Sequence, residues 1–323
     1  MESKARMVLN LTPRFAKLAA PKTANMPSAA VQTDLFDDHD VYVSRDYITK
    51  LSDKVGELAK NSESFIKYDG AKDQNKDEIS AISVSLDGTA LLLKDKDKKP
   101  TFREAMAGVV SLADKDCGRR SAVYAGEVPE YGKETFLERL ELELSGAESL
   151  LPNAAVQGIA GGAAHNWVRL TPGTDVQVLD SHHMPAYVCK ASDILFPKKP
   201  SDRDGRTETW LRKIKHSNNN GVDLLIDELE ERRQALKKPS AEELDKVLVH
   251  LNNQKGRTHY RRERANNRPV GSGAAEAVCK TLIKQRVCCS EVRRSKDGAS
   301  NIIRNSFSYT FKQIVGINFG III

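Results

Sequence analysis

Alternating apolar and polar residues indicate a β-strand that begins near Ile79. Ile82, Val84 and Leu86 are separated by serines, then Asp87-Gly88 intervenes, and Ala90–Leu93 continues apolar. A period of two is typical of a strand with one buried face, so we predict a strand with an acidic residue near its centre or end. An Asp-Gly pair after a strand is more commonly a turn, and that alternative stays open.

The pattern predicts an ordered series of elements after this strand. The series consists of strands at 104–112 and 121–128, an amphipathic helix at 133–151, and strands at 154–160 and 176–179. Three strands, a helix and two more strands are the order of an RNase H-like core, so we predict an α/β fold with a mixed sheet. Helical spacing from Met184 to Arg264 predicts a helical insertion, Pro269–Gly273 ends it, and a last helix at 274–287 carries Glu276.

The two ends of the chain have weaker patterns. Residues 1 to about 40 are rich in Ala, Pro, Ser and Thr and show no stable period, so we predict a tail or the remnant of a longer region, followed by a helix after Ser44. The apolar end, Phe307–Ile323, is too short and interrupted to span a bilayer. We divide the chain into an N-terminal tail and small helical region at 1–78, the first part of the core at 79–183, the helical insertion at 184–264, a basic segment with the glutamate-bearing helix at 265–304, and a divergent tail at 305–323.

Composition narrows the class of protein. The chain has 323 residues, of which 40% are hydrophobic, enough to bury a sizeable core. The mean hydropathy of -0.48 argues against a polytopic membrane protein, and the N-terminus lacks the apolar stretch of a signal peptide. Five cysteines without a C-x-x-C pair indicate neither a disulfide framework nor a zinc ribbon. We expect a cytoplasmic protein with reduced thiols.

Positive charge is concentrated in one segment. Residues 256–304 carry twelve basic and four acidic side chains, more excess charge than the +6 of the whole chain. Such a segment on a near-neutral body favours a polyanion partner, nucleic acid first, although a solvated surface is the alternative. The candidate DNA-binding residues are Arg261, Arg262, Arg264, Arg268, Lys280 and Lys284.

Two acids could carry metal-dependent chemistry. Nucleases with an RNase H-like core bring two or three carboxylates to one end of a sheet, where they hold two divalent ions about 4 Å apart. Asp87 lies where the first strand should present such a group, and Glu276 lies in the first turn of the last helix. Each has a structural alternative, a turn for Asp87 and a favourable interaction with the helix dipole for Glu276.

Several blocks of the sequence resemble one family. They are Val84–Thr89, Arg103–Gly108, Ile159–Ala163 with Asn166-Trp167, Val178–Asp180 and, most specifically, Pro269–Lys280. From about Tyr42 to Arg286 the chain is similar to bacterial insertion-sequence transposases of the ISKra type. The resemblance implies a DDE transposase that cuts and joins double-stranded DNA with Mg²⁺ or Mn²⁺ and acts in the nucleoid, and we expect self-association into a homo-oligomer.

The resemblance also assigns roles to residues. Asp87 matches the first catalytic aspartate and Glu276 the glutamate, and both would be metal ligands. Asp180 and His183 match a Leu-Asp-x-x-His block, and Asp180 is the remaining candidate catalytic acid, with capping of the following helix as its alternative. The family's second aspartate corresponds to Gly161, which has no ligand atom.

Other departures, including Ser181-His182, Glu291–Arg294 and the last 17 residues, have the same implication: a decayed or frameshifted copy. The resemblance thus implies a transposase whose cleavage is impaired. The alternatives are a non-catalytic DNA-binding or regulatory remnant and a pseudogene product that folds only partially.

Overall fold

A five-stranded mixed sheet forms the centre of the protein. The computed structural model describes residues 12–62, 75–94, 99–128, 133–217, 221–288 and 294–315. The strands are β1 (Ile79–Leu93), β2 (Thr101–Asp114), β3 (Arg119–Glu127), β4 (Ala155–Ala160) and β5 (Val176–Leu179). Their spatial order is β3-β2-β1-β4-β5. The predicted α/β class with a mixed sheet is therefore confirmed.

Strand direction changes at β1. β2 pairs antiparallel with β1 and with β3, whereas β4 pairs parallel with β1 and with β5. A parallel connection needs a crossover, and α4 (Lys133–Leu150) lies between β3 and β4 in the chain. β5 follows α5 (Ala164–Leu170) and a short 3₁₀ turn, so β4 and β5 are also joined by a helical crossover.

β1 includes the Asp87-Gly88 pair and the apolar residues after it, so Asp87 lies near the centre of the strand. It continues through Asp87-Gly88 to Leu93, and Gly88 pairs with Met106 of β2, so these residues form no turn. β4, in contrast, ends beside Leu86. The second half of β1 is therefore paired only with β2, and Asp87 is its first residue beyond the end of β4.

The two faces of β1 pack against different helices. Ile82, Val84 and Leu86 belong to a core that includes α4 and α5. Leu91 and Leu93 face the other way and pack against the helices that follow Gly273. Ser83, Ser85 and Asp87 share this second face, since alternate residues of a strand project to the same side.

The predicted helical region after β5 is confirmed. It consists of α6 (Met184–Leu195), α7 (Pro200–His216), α8 (Gly221–Arg233), α9 (Lys238–Gln254) and α10 (Tyr260–Ala265). Its apolar residues, including the fully buried Trp210, belong to the same hydrophobic core as those of α4 and α5. The indole N–H of Trp210 donates to Glu228 at 2.9 Å, so the ring is buried without losing its hydrogen bond.

The last helix of the predicted series contains a π-helical segment. α11 (Gly273–Val278) continues through a π-helical segment, Cys279–Lys284, into α12 (Gln285–Val287). Ala275, Val278 and Cys279 are buried against β1 and β2. The predicted helix at 274–287 is thus confirmed as one continuous helical stretch.

From residue 13 onward the N-terminal region is helical and not a tail. Pro13–Asn25 forms α1 and Ser28–His39 forms α2, and both pack on α3 (Arg45–Ser62). The buried side of α1 consists of Ala16, Ala19, Ala20 and Ala24. Their spacing is helical, but alanine carries so little hydrophobicity that the period is easily overlooked.

The predicted divergent tail is also ordered over much of its length. Lys296–Val315 forms α13, whose Phe307 is fully buried against β3 and whose polar residues bond to α1. Asn305 donates to Thr23 at 3.0 Å and Ser306 to the carbonyl of Ala24 at 2.8 Å. Residues 316–323 lie outside the described part of the chain.

Candidate functional site

Asp87 lies half-buried at the end of the parallel part of the sheet. Its Oδ1 accepts the backbone N–H of Gly88 at 2.8 Å. The thiol of Cys279 hydrogen-bonds to the same carboxylate, and burial together with the charge of Asp87 raises the pKa of this thiol. The π-helical segment is thereby fixed against β1 at Asp87, and Cys279 stays protonated.

Gly161 is the first residue after β4, and Asp87 is the first residue of β1 beyond its pairing with β4. In the parallel register Leu86 pairs with Ala160, so one residue further along each chain brings Asp87 beside Gly161. A Cβ at Gly161 would lie 2.9–3.1 Å from the ring atoms of His183. Gly162, not Gly161, has the left-handed backbone, with φ of 95°. An L-residue is therefore compatible with the backbone at Gly161, provided that His183 moves.

Glu276 lies on the exposed side of α11, one helical turn before Cys279. The opposite side of α11 packs on β1 and β2 through Ala275 and Val278. This helix thus returns to the sheet at the strand that bears Asp87, as predicted, and Glu276 projects from it toward solvent.

Asp180 is placed differently from the two other candidate acids. It is 0% exposed and accepts the backbone N–H of His182 at 2.8 Å and of Ser272 at 3.1 Å, together with the Ser272 hydroxyl. These bonds join the end of β5 to the Pro269–Gly273 segment. The burial of this carboxylate and its hydrogen bonds favour the structural alternative for Asp180.

Glu104 is an acid close to Gly88, on the opposite face of the sheet from Asp87, that the local sequence pattern does not indicate. It lies on β2 opposite Ala90, its carboxylate adjoins Gly88, and its Oε1 is 4.0 Å from Nε2 of His165. The negative charge of Glu104 contributes to the raised pKa of Cys279. Aligning β1 and β2 as a hairpin could have placed this acid close to Gly88, but the sequence shows no turn that sets the register.

The donor set around Asp87 does not fit two divalent ions. A two-metal site needs carboxylates from several strands to share the ions, yet Gly161 has no side-chain atom and Asp180 is enclosed. A metal site needs ligand atoms from acids, histidines or cysteines close together. Within the described ranges, three such atoms lie within 4.8 Å of one another only at Asp34, Asp38 and His39, on α2 near the N-terminus. Asp87, Glu276 and Asp180 do not form such a group.

The candidate DNA-binding residues divide into two groups. Arg262 and Arg268 bind the buried Glu263 at 2.8 and 2.7 Å, and Arg261 donates to the carbonyl of His216 at 2.9 Å. Arg264, Lys280 and Lys284 are exposed and have no ion pair of 4.0 Å or less with any described acid. Some cations of the basic segment therefore stabilise the fold, and others are exposed to solvent.

No model of a known protein family matches this chain, and no curated protein matches it either. None of the helices in the described ranges combines the length and the apolar character needed to cross a membrane.

Proposed function

We propose that this protein is a DDE-transposase-derived protein that binds DNA and has an incomplete two-metal cleavage site. The observation that carries the proposal is the parallel register of β1 and β4, which brings Asp87 beside Gly161. A pair of neighbouring parallel strands is a suitable frame for two carboxylates that share an ion, and here one of the pair is glycine.

The sheet supports the RNase H-like interpretation. Its order, β3-β2-β1-β4-β5, with an antiparallel first half and a parallel second half, is compatible with that fold. The helical region between β5 and α11 corresponds to the expected insertion before the glutamate. In this frame Asp87 and Glu276 are the acids available for a metal ion, Mg²⁺ or Mn²⁺.

DNA binding is supported by the exposed cations of the basic segment. Lys280 and Lys284 are exposed on the helical stretch that bears Glu276, and Arg264 is exposed on α10. Unpaired lysines and arginines favour a phosphate backbone because binding releases condensed counterions.

A second candidate function is DNA binding without any cleavage. The enclosed Asp180 and the missing side chain at Gly161 favour it, because they leave Asp87 without a second acid on the adjacent strand ends. The two candidates make the same prediction for binding and differ in the prediction for cutting.

A cleavage assay separates the two candidates. End-labelled duplexes that contain the DNA flanking the gene are incubated with the protein and Mg²⁺ or Mn²⁺. Weak cutting that disappears in Asp87→Asn supports an impaired transposase, whereas binding without cutting supports the non-catalytic remnant. Absence of binding to any DNA would refute both.

A further inference from the structure

A polar cavity of about 930 Å³ lies on the same face of the sheet as Asp87. Its floor includes Ser83 and Ser85 of β1 and Ser111 of β2. Ser83 and Ser111 pair directly across the two strands. Ser83, Ser85 and Asp87 alternate onto one face, and α11 with the π-helical segment covers this face from Gly273 at the cavity wall to the Cys279 thiol beside Asp87.

Four cations line the cavity. Lys115 and Arg119 lie on the hairpin that joins β2 and β3, Lys215 lies on α7, and Arg264 lies on α10. None of them forms an ion pair of 4.0 Å or less with another residue that the structure describes. Asp116 is the acid among the described lining residues, so the cavity has an excess of positive charge.

One buried polar group in the cavity lacks a hydrogen-bond partner within the described part of the chain. Ser83 is 2% exposed, and its Oγ bonds to no described atom. A buried hydroxyl without a partner is unfavourable, and a ligand oxygen at this place would accept its hydrogen bond.

The hairpin that carries two of the cations is fixed before any ligand binds. Oδ1 of Asp114 accepts the backbone N–H of Asp116 at 2.9 Å and of Gly118 at 2.7 Å, and its Oδ2 binds Arg120 at 2.8 Å. These bonds hold the pKa of Asp114 below its ordinary value, with the Gly118 bond as the largest cause. A rigid hairpin loses little entropy on binding.

We propose that this cavity binds the phosphodiester backbone of one DNA strand, at the end of α11 that is away from Asp87. The proposal rests on the proposed DNA-binding function and extends the binding surface beyond the basic segment, since Lys115, Arg119 and Lys215 belong to other elements and Arg264 alone of the four cations comes from that segment. The volume is that of a site for a small ligand and admits one strand rather than a duplex.

The test compares two pairs of charge substitutions. Lys115→Gln with Arg119→Gln removes two cavity cations, and Lys198→Gln with Lys237→Gln removes two exposed lysines that line no part of the cavity. Binding of a fluorescent single strand of about twelve nucleotides is measured by anisotropy at several salt concentrations. Binding of a labelled duplex and stabilisation by inorganic phosphate are measured in parallel. A third variant, Ser111→Leu, fills the cavity without changing the charge, and thermal unfolding confirms that each variant folds.

The expected result is an affinity for the single strand about tenfold lower in the cavity pair, and also lower in Ser111→Leu, with little change in the control pair. The slope of log affinity against log salt should become shallower by about 1.4 in the cavity pair, because each phosphate contact of a single strand contributes about 0.7.

Equal losses in the cavity and control pairs would overturn the proposal, since they would show only the effect of net charge. Duplex binding without single-strand binding would overturn it as well and leave the proposed DNA-binding function intact. Stabilisation by inorganic phosphate without binding of the strand would show that the cavity takes free phosphate instead. Failure to bind any DNA would refute the proposed function itself.

Discussion

Placing an aspartate at Gly161 tests the geometry around Asp87 without any assumption about cleavage. Adjacent parallel strands are about 4.8 Å apart, so Gly161→Asp should bring a second carboxylate about 5 Å from that of Asp87. Two like charges at that distance repel by about 3 kcal/mol at an effective dielectric constant of 20. Because Asp87 is half-buried at a strand end, water should reduce this to about 1–2 kcal/mol.

The neutral isostere provides the control. Gly161→Asn displaces the ring of His183 as much as the aspartate does, and this ring can move because its side chain is 38% exposed. The difference between the two variants therefore isolates the charge. In EDTA we expect Gly161→Asp to unfold about 2–6 °C below Gly161→Asn. Mg²⁺ or Mn²⁺ should remove the difference, because a divalent ion between the carboxylates replaces repulsion with attraction.

Thermal unfolding with and without the ion, together with calorimetric titration of Mn²⁺, measures both effects. Equal melting temperatures in EDTA and no response to either ion would refute the reasoning, since they would place Gly161 away from Asp87. A gain of cleavage in Gly161→Asp, absent in Gly161→Asn, would extend the result from geometry to activity.

Three further predictions concern groups outside this pair. Arg268→Ala should destabilise the protein by about 2–3 kcal/mol in urea unfolding, because the buried Glu263 loses a partner, whereas Arg264→Ala should weaken DNA binding and leave stability unchanged. Burial raises the pKa of Glu143 to about 7, so folding favours its neutral form; Glu143→Gln should exceed the parent in stability by about 1–2 kcal/mol at pH 8, with the gap closing as the pH falls from about 7 to 4.5, as measured by unfolding at several pH values. Phe307→Ala should cost about 3–5 kcal/mol, and an unchanged melting temperature would contradict the packing of α13.

The order of the central elements follows from the sequence because each has a clear period or a strong boundary. Alternation marks the beginning of β1, and the Pro269–Gly273 break marks where the chain turns back toward the sheet. The extent of β1 does not follow, since Asp87-Gly88 is a typical turn pair and only its pairing with β2 keeps it extended. Local preference is overridden there by a contact with a distant strand.

The positions of the candidate-site residues also follow only in part from the sequence. That Gly161 lies beside Asp87 follows from strand order and the matched ends of parallel strands, both of which a sequence can indicate. That Asp180 is enclosed depends on hydrogen bonds to Ser272, 92 residues away, which no local pattern encodes. The cations of the polar cavity likewise come from separate elements, so no run of basic residues in the sequence predicts the cavity.

The hydrogen bonds between α1 and the last third of the chain constrain the order in which this protein assembles. Arg286 donates to the carbonyls of Thr23 and Ala24, and Asn305 to the Thr23 hydroxyl, 282 residues further along the chain. During translation α1 is synthesised early, yet its partners Arg286 and Asn305 emerge only near the end. The alanine face of α1 can pack on α2 and α3 as soon as they emerge, whereas Thr23 and Ala24 stay without these hydrogen bonds for nearly the whole period of synthesis.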